Sequence, residues 1–148
     1  MISPTHLHAM VIHFPIALLL TAFLGEIIGL ILKKTFLNQA AFYLLILGTF
    51  GTLIAYLSGD AAGDGMEGGS LGKAIMLHEE AAALTLWLAI ITTLLYGALY
   101  FFKSHNRWYR IVGIILFATV IGSVTRTAYL GGQLVYRHGA GVELEISE

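Results

Sequence analysis

Cysteine is absent from the 148 residues. Disulfides, thiolate metal ligands, covalent c-type haem attachment and any iron–sulfur cluster held by the chain's own thiolates are therefore excluded. Charge is scarce too: 11% of the residues are Asp, Glu, Lys or Arg, against about a quarter in a soluble domain. The basic residues are too few and too scattered for a nucleic-acid surface. None of them precedes the first apolar run, so the basic start of a cleaved signal peptide is missing and that run reads as a retained helix. No Ser/His/Asp or Cys/His hydrolase pattern and no P-loop lysine pattern occur.

What the chain has in abundance is apolar length. Hydrophobic residues make up 57% of it and the mean hydropathy is +0.82. Four runs, at about 11–32, 40–57, 75–102 and 110–130, each suffice to cross a hydrocarbon core of about 30 Å as a helix. The links "KKTFLNQ" (33–39) and "KSHNRWYR" (103–110) are short. On the opposite side "SGDAAGDGMEGGSLGK" (58–73) reads as a flexible loop, and Gly131 and Gly132 as the end of the fourth helix, leaving a tail over 131–148. The expected fold is all-α, a single-domain integral membrane four-helix bundle of up-down-up-down topology over 1–148.

Orientation follows from the cations. Lys33, Lys34, Lys103, Arg107 and Arg110 lie on one side; Lys73 and Arg137 lie on the other, with Arg126 inside helix four. The richer side is expected to face the cytoplasm, which places the chain in the cytoplasmic membrane with both termini and the Gly/Asp loop outside.

Five of the six histidines then fall at the outer end. His6, His8 and His13 precede or open helix one, His78 lies in helix three beside Glu79 and Glu80, and His138 follows helix four; His105 sits in a basic loop with a solvated role. Helical spacing from His13 runs through Ala17, Thr21 and Gly25, and from His78 through Ala82, Thr85, Ala89 and Thr92. In helix four it joins Thr119, Gly122, Arg126, Tyr129 and Gln133. Small and polar stripes of this kind are expected to face the bundle interior. Pro15 disfavours helical geometry at Phe14, so the regular helix is expected to begin at Pro15, with His13 on a kinked turn.

Together "HLHAMVIHFPIALL", "SGDAAGD", "HEEAA" and "GGQLVYRHGAGVELE" resemble the small membrane proteins of the DUF2231 family over nearly the whole chain, with Ala9 after His8 where the family typically has Pro. The resemblance implies a four-helix membrane domain with histidines grouped on one side and a haem or redox role.

Neutral imidazoles ligate metals, and two of them on opposite faces of a b-type haem need no cysteine. His13 and His78, at similar depth on different helices, are the expected axial pair, with Arg126 toward a propionate and Gln133, Tyr136 or Arg137 as hydrogen-bond donors. Such a protein is an electron carrier or redox subunit rather than a stand-alone catalyst, with the lipid bilayer and redox proteins at the outer face as partners. Two alternatives use the same groups. One is a copper or zinc site of His8, His13, His78 and His138; the other is proton or small-solute transport over a His/Asp/Glu/Arg network. Glu26, deep in helix one, reads either as a proton carrier or as a hydrogen-bonded packing residue. Asp60 and Asp64 read as turn residues that bond to His78 or Arg126, since the string lacks the ordered ligands of a calcium loop.

Overall fold

Along the membrane-spanning parts of the helices, buried positions recur mostly every three or four residues, one inward seam per span. The computed structural model describes residues 3–66, 68–103 and 106–142. Helix α1 (Pro4–Val11) runs almost directly into α2 (His13–Ile31); α3 (Thr35–Gly63), α4 (Gly69–Phe101) and α5 (Arg107–His138) follow, with no strand among the described residues. Four spans result, the first formed by α1 and α2 together. Helix α2 packs on α3, α3 on α4 and α4 on α5, while α2 meets α5 lightly. Helix α1 packs on α3, and its backbone does not close against α4 or α5. The up-down-up-down bundle is therefore present, with a "histidine end" holding α1 and a "basic end" holding Lys33, Lys34 and Arg110.

The buried seam in α2 is Pro15, Leu19, Ala22, Glu26 and Gly29, and in α3 it is Ala41, Leu45, Gly48, Thr52 and Ala55. Leu19, Ala22, Leu45, Ala89, Phe117, Val120 and Val124 form one core cluster. Phe117 receives Phe23 and Tyr96 edge-on, at ring-centroid distances of 5.4 and 5.9 Å. Gly48 makes the α2–α3 contact possible: a Cβ there would lie 2.8 Å from Leu19 Cδ2 and 3.3 Å from the Leu19 backbone nitrogen. Hydroxyls tie the remaining helices. Thr49 bonds Thr93 at 2.7 Å across α3 and α4, and Thr85 bonds Ser123 at 2.7 Å and Thr127 at 3.0 Å across α4 and α5. Only 22–28% of the most apolar window of each span is buried between helices. Phe14, Phe50, Trp87 and Leu94 are among the large side chains left facing outward, so the molecule needs lipid to cover them.

Several expectations are corrected. The chain is helical well before Pro15: Ser3 Oγ accepts from the His6 N–H at 3.3 Å, and Pro4 occupies the first turn, where its missing N–H costs nothing. Pro15 instead leaves the Val11 carbonyl without its donor, and the interruption falls at Ile12. The outer loop expected over 58–73 contracts to the turn 64–68, because α3 continues to Gly63 and α4 starts at Gly69. Contact between the two helix ends, where Glu79 and Ile75 lie over Gly63, outweighs the roughly 1 kcal/mol that each glycine costs a helix. Gly131 and Gly132 lie inside α5, which ends at Gly139 in the left-handed conformation. There Gly139 N–H donates to Val135 O and Ala140 N–H to Leu134 O, both at 3.0 Å, closing the helix with a left-handed glycine cap. The outward faces also differ. Ala17 and Thr21 in α2, and Thr119, Gly122, Arg126 and Tyr129 in α5, are exposed; Gly113, Phe117, Val120, Ser123 and Val124 form the buried side of α5. In α4 the expected stripe holds, with Thr85, Ala89 and Thr92 buried.

Candidate functional site

Two imidazoles from different helices meet at the histidine end. His8 on α1 and His78 on α4 are half-buried, with ring centroids 6.4 Å apart and planes at 82°. The seam explains why these two face inward. Stepping back seven residues at a time from Gly29 gives Ala22, Pro15 and His8; the same step from Thr92 gives Thr85 and His78.

Each ring is tethered through Nδ1. His78 Nδ1 lies 3.1 Å from the Thr127 carbonyl, which only accepts, so Nδ1 carries the proton and donates. His8 Nδ1 lies 3.0 Å from Ser58 Oγ. That hydroxyl already donates to the Ala55 carbonyl at 3.0 Å, so His8 Nδ1 is again the donor. With Nδ1 protonated in both rings, both Nε2 atoms keep a lone pair. Among the described residues no hydrogen bond reaches either Nε2, and neither is sealed from solvent. A carbonyl or hydroxyl fixing the tautomer of an imidazole whose other nitrogen is free is the arrangement that metal-ligating histidines use.

Glycines cradle the rings. A Cβ at Gly59 of α3 would lie 2.9 Å from His8 Cε1, and one at Gly131 of α5 would lie 3.1 Å from His78 Cε1. Beyond α5 the chain turns back over α1, where Gly141, at φ +75°, sits so close to Thr5 that a Cβ would come within 2.6 Å of its methyl group.

Residues 4–144 match the family described as a predicted membrane protein, DUF2231. The chain belongs to this family. No curated protein and no solved structure matches it.

Other expected site residues of this DUF2231 chain lie elsewhere. His13 is exposed on the far side of the α2 seam, two residues from buried Pro15, so the imidazole beside His78 is that of His8. Arg126 is exposed because its neighbour Thr127 takes the inward position; Arg137, His138 and Tyr136 are exposed, and Gln133 is half-buried. His6 caps locally against Ser3, its Nδ1 3.3 Å from Ser3 Oγ. Asp60, Asp64 and Glu80 are exposed, while Glu79 is half-buried over Gly63. The four-imidazole set of His8, His13, His78 and His138 does not assemble, and among the described residues no group of three or more His, Cys, Asp or Glu is placed to hold a metal. His105 and tail residues 143–148 lie outside the described residues.

A second polar constellation, at the basic end, escaped the histidine-centred reading. A cavity of about 380 Å³ is lined by Glu26, Asn38, Phe42, Tyr96, Tyr100 and Arg110, among others. Its signal in the sequence was Glu26 itself, on the same seven-residue register as Leu19.

Proposed function

We propose that this DUF2231 protein is a membrane-embedded electron carrier in which His8 and His78 would hold a b-type haem. The observation that carries the reading is the facing pair of Nδ1-tethered imidazoles with free Nε2 atoms. The ring centroids lie 6.4 Å apart, near enough for a single metal centre to engage both imidazoles. The glycines at 59 and 131 let the two rings lie directly against the helix backbones of α3 and α5, and no backbone of α4 or α5 closes against α1. Haem supplies the one-electron chemistry when bound; Ser58 and the Thr127 carbonyl fix the tautomer and orientation of its ligands. A haem held by both imidazoles would supply electron transfer rather than substrate chemistry. The lysines and arginines of the basic end favour a cytoplasmic placement for it, so the haem and its redox partners belong at the outer face of the cytoplasmic membrane.

The spectrum tests this. Haem-replete protein in detergent is expected to give a stoichiometric pyridine haemochrome and a reduced-minus-oxidised b-type spectrum. His8→Ala and His78→Ala are expected to lose it, and His13→Ala to retain it. A clean absence in the wild type, or loss in His13→Ala with retention in His8→Ala, overturns the assignment. A second reading places a copper ion between the same two nitrogens. It is favoured by the convergence of two imidazoles without a third ligand among the described residues, and it predicts metal without porphyrin.

A further inference from the structure

Glu26 is 4% exposed, on the seam of a membrane-spanning helix, and its Oε2 is met by an amide rather than a cation: Asn38 Nδ2 donates to it at 2.7 Å. The same amide lies 3.2 Å from the Glu26 carbonyl, so Asn38 clamps both the side chain and the backbone of α2. Gly29, one turn on, makes the clamp possible, since a Cβ there would come within 2.8 Å of Asn38 Nδ2 and 2.9 Å of its Oδ1. Beside Glu26, on the wall of the same cavity, stands Tyr96, whose hydroxyl is sealed from water and makes no hydrogen bond of standard geometry. An ionisable side chain held this way inside a span is expensive unless it does something.

The cavity reaches this group from the basic end. Its mouth is formed by Thr35, Gln39, Tyr100 and Arg110, all exposed, and Glu26 and Tyr96 lie at its inner wall. At about 30 Å³ per molecule, a space of about 380 Å³ holds on the order of ten waters. We propose that Glu26 is a reversible proton-binding site, loaded and emptied by water through this cavity from the basic end.

Both protonation states find support in the same surroundings. When the carboxylate is charged, the Asn38 amide donates to it and the Tyr96 hydroxyl rotates to donate as well; when it is protonated, the carboxyl donates to the Tyr96 oxygen, and the amide bond persists. The step is the transfer of one proton between cavity water and one carboxyl oxygen, with no other bond made or broken. The titratable and charged groups facing the site are Tyr96 and Tyr100 from α4 and Arg110 from α5; α3 contributes the neutral Thr35, Asn38 and Gln39. Lys33 and Lys34 sit in the exposed turn between α2 and α3. The site is about 27 Å along the helix from His8, at about 1.5 Å per residue, and it does not depend on the haem reading.

Infrared difference spectroscopy on the full chain in lipid nanodiscs tests the proposal. Wild type is expected to show a protonated-carboxyl stretch that grows as pH falls and shifts in heavy water. Glu26→Gln, which keeps a hydrogen-bonding group toward Asn38, is expected to lose that band while leaving any visible spectrum of the histidine end unchanged. Gly29→Ala, which displaces the Asn38 amide, and Tyr96→Phe, which removes the hydroxyl, are each expected to shift the pH at which the band is half developed. If the wild-type and Glu26→Gln spectra coincide at every pH, or their difference neither varies with pH nor responds to heavy water, the proposal is overturned. Should Glu26→Gln fail to assemble, midpoints unchanged in both Gly29→Ala and Tyr96→Phe overturn it equally.

Discussion

One methyl group separates the glycines that hold this molecule together from those that merely occupy it. At Gly48 an added Cβ meets Leu19 at its side chain and its backbone nitrogen, whereas at Gly122 it meets nothing within 4 Å. Gly48→Ala is therefore expected to destabilise the bundle by about 1–3 kcal/mol, the usual range for overpacking. Gly122→Ala is expected to be neutral or to stabilise by up to about 1 kcal/mol through helix propensity. Thermal unfolding in detergent, followed by circular dichroism, checks both; equal effects of the two changes would refute the packing argument. The histidine pair was only half legible at this scale. His78 was read correctly as inward-facing, because Thr85 and Thr92 follow it on one face. His13 matches His78 in depth but not in direction, since two residues from buried Pro15 on a helix is about 200° of rotation, given about 3.6 residues per turn. His8, Pro15, Ala22 and Gly29 share one seven-residue register.

Helices α4 and α5 are joined by hydroxyls as well as by the Tyr96–Phe117 ring contact. Thr85 donates to the Ala81 carbonyl at 2.8 Å and shares its oxygen with Ser123 and Thr127, while Thr127 bonds back to the Ser123 carbonyl at 3.0 Å. Interhelical hydrogen bonds in lipid average about 0.6 kcal/mol and reach about 1.7. Thr85→Val is expected to cost about that much, and Ser123→Ala less. Because the two share one bond, the double variant is expected to cost less than the sum of the singles, as a double-mutant cycle would measure. Strict additivity would mean that the network carries no coupling. The number and order of the spans were legible from apolar length alone. Their ends were not, since glycines and acids at 58–63, 69–72 and 131–132 read as breaks, and contact with a neighbouring helix end overrides a local propensity worth about 1 kcal/mol.

Across the whole molecule the two polar constellations sit at opposite ends of an apolar body, and neither helix faces nor lengths alone revealed the second. Composition announces a membrane protein because the outward faces, not the core, hold most of the large apolar side chains. It says nothing of which inward positions are polar, and Glu26, Thr52, Thr85, Thr92 and Ser123 are all buried. The contact between Thr5 and the turn at Gly141 has a consequence for chain order. It brings the first helix and the residues after the last one together at the histidine end, the same end as the 64–68 turn. A circular permutant that links residue 142 to residue 3 and opens the chain in that turn moves no terminus across the membrane. It is expected to insert with all four spans in their original neighbours, giving the wild-type circular dichroism spectrum and a single species on size exclusion in detergent. The linear order of the four spans is then a convenience of synthesis, and the bundle behaves as a ring that admits a cut at either of two places on one face.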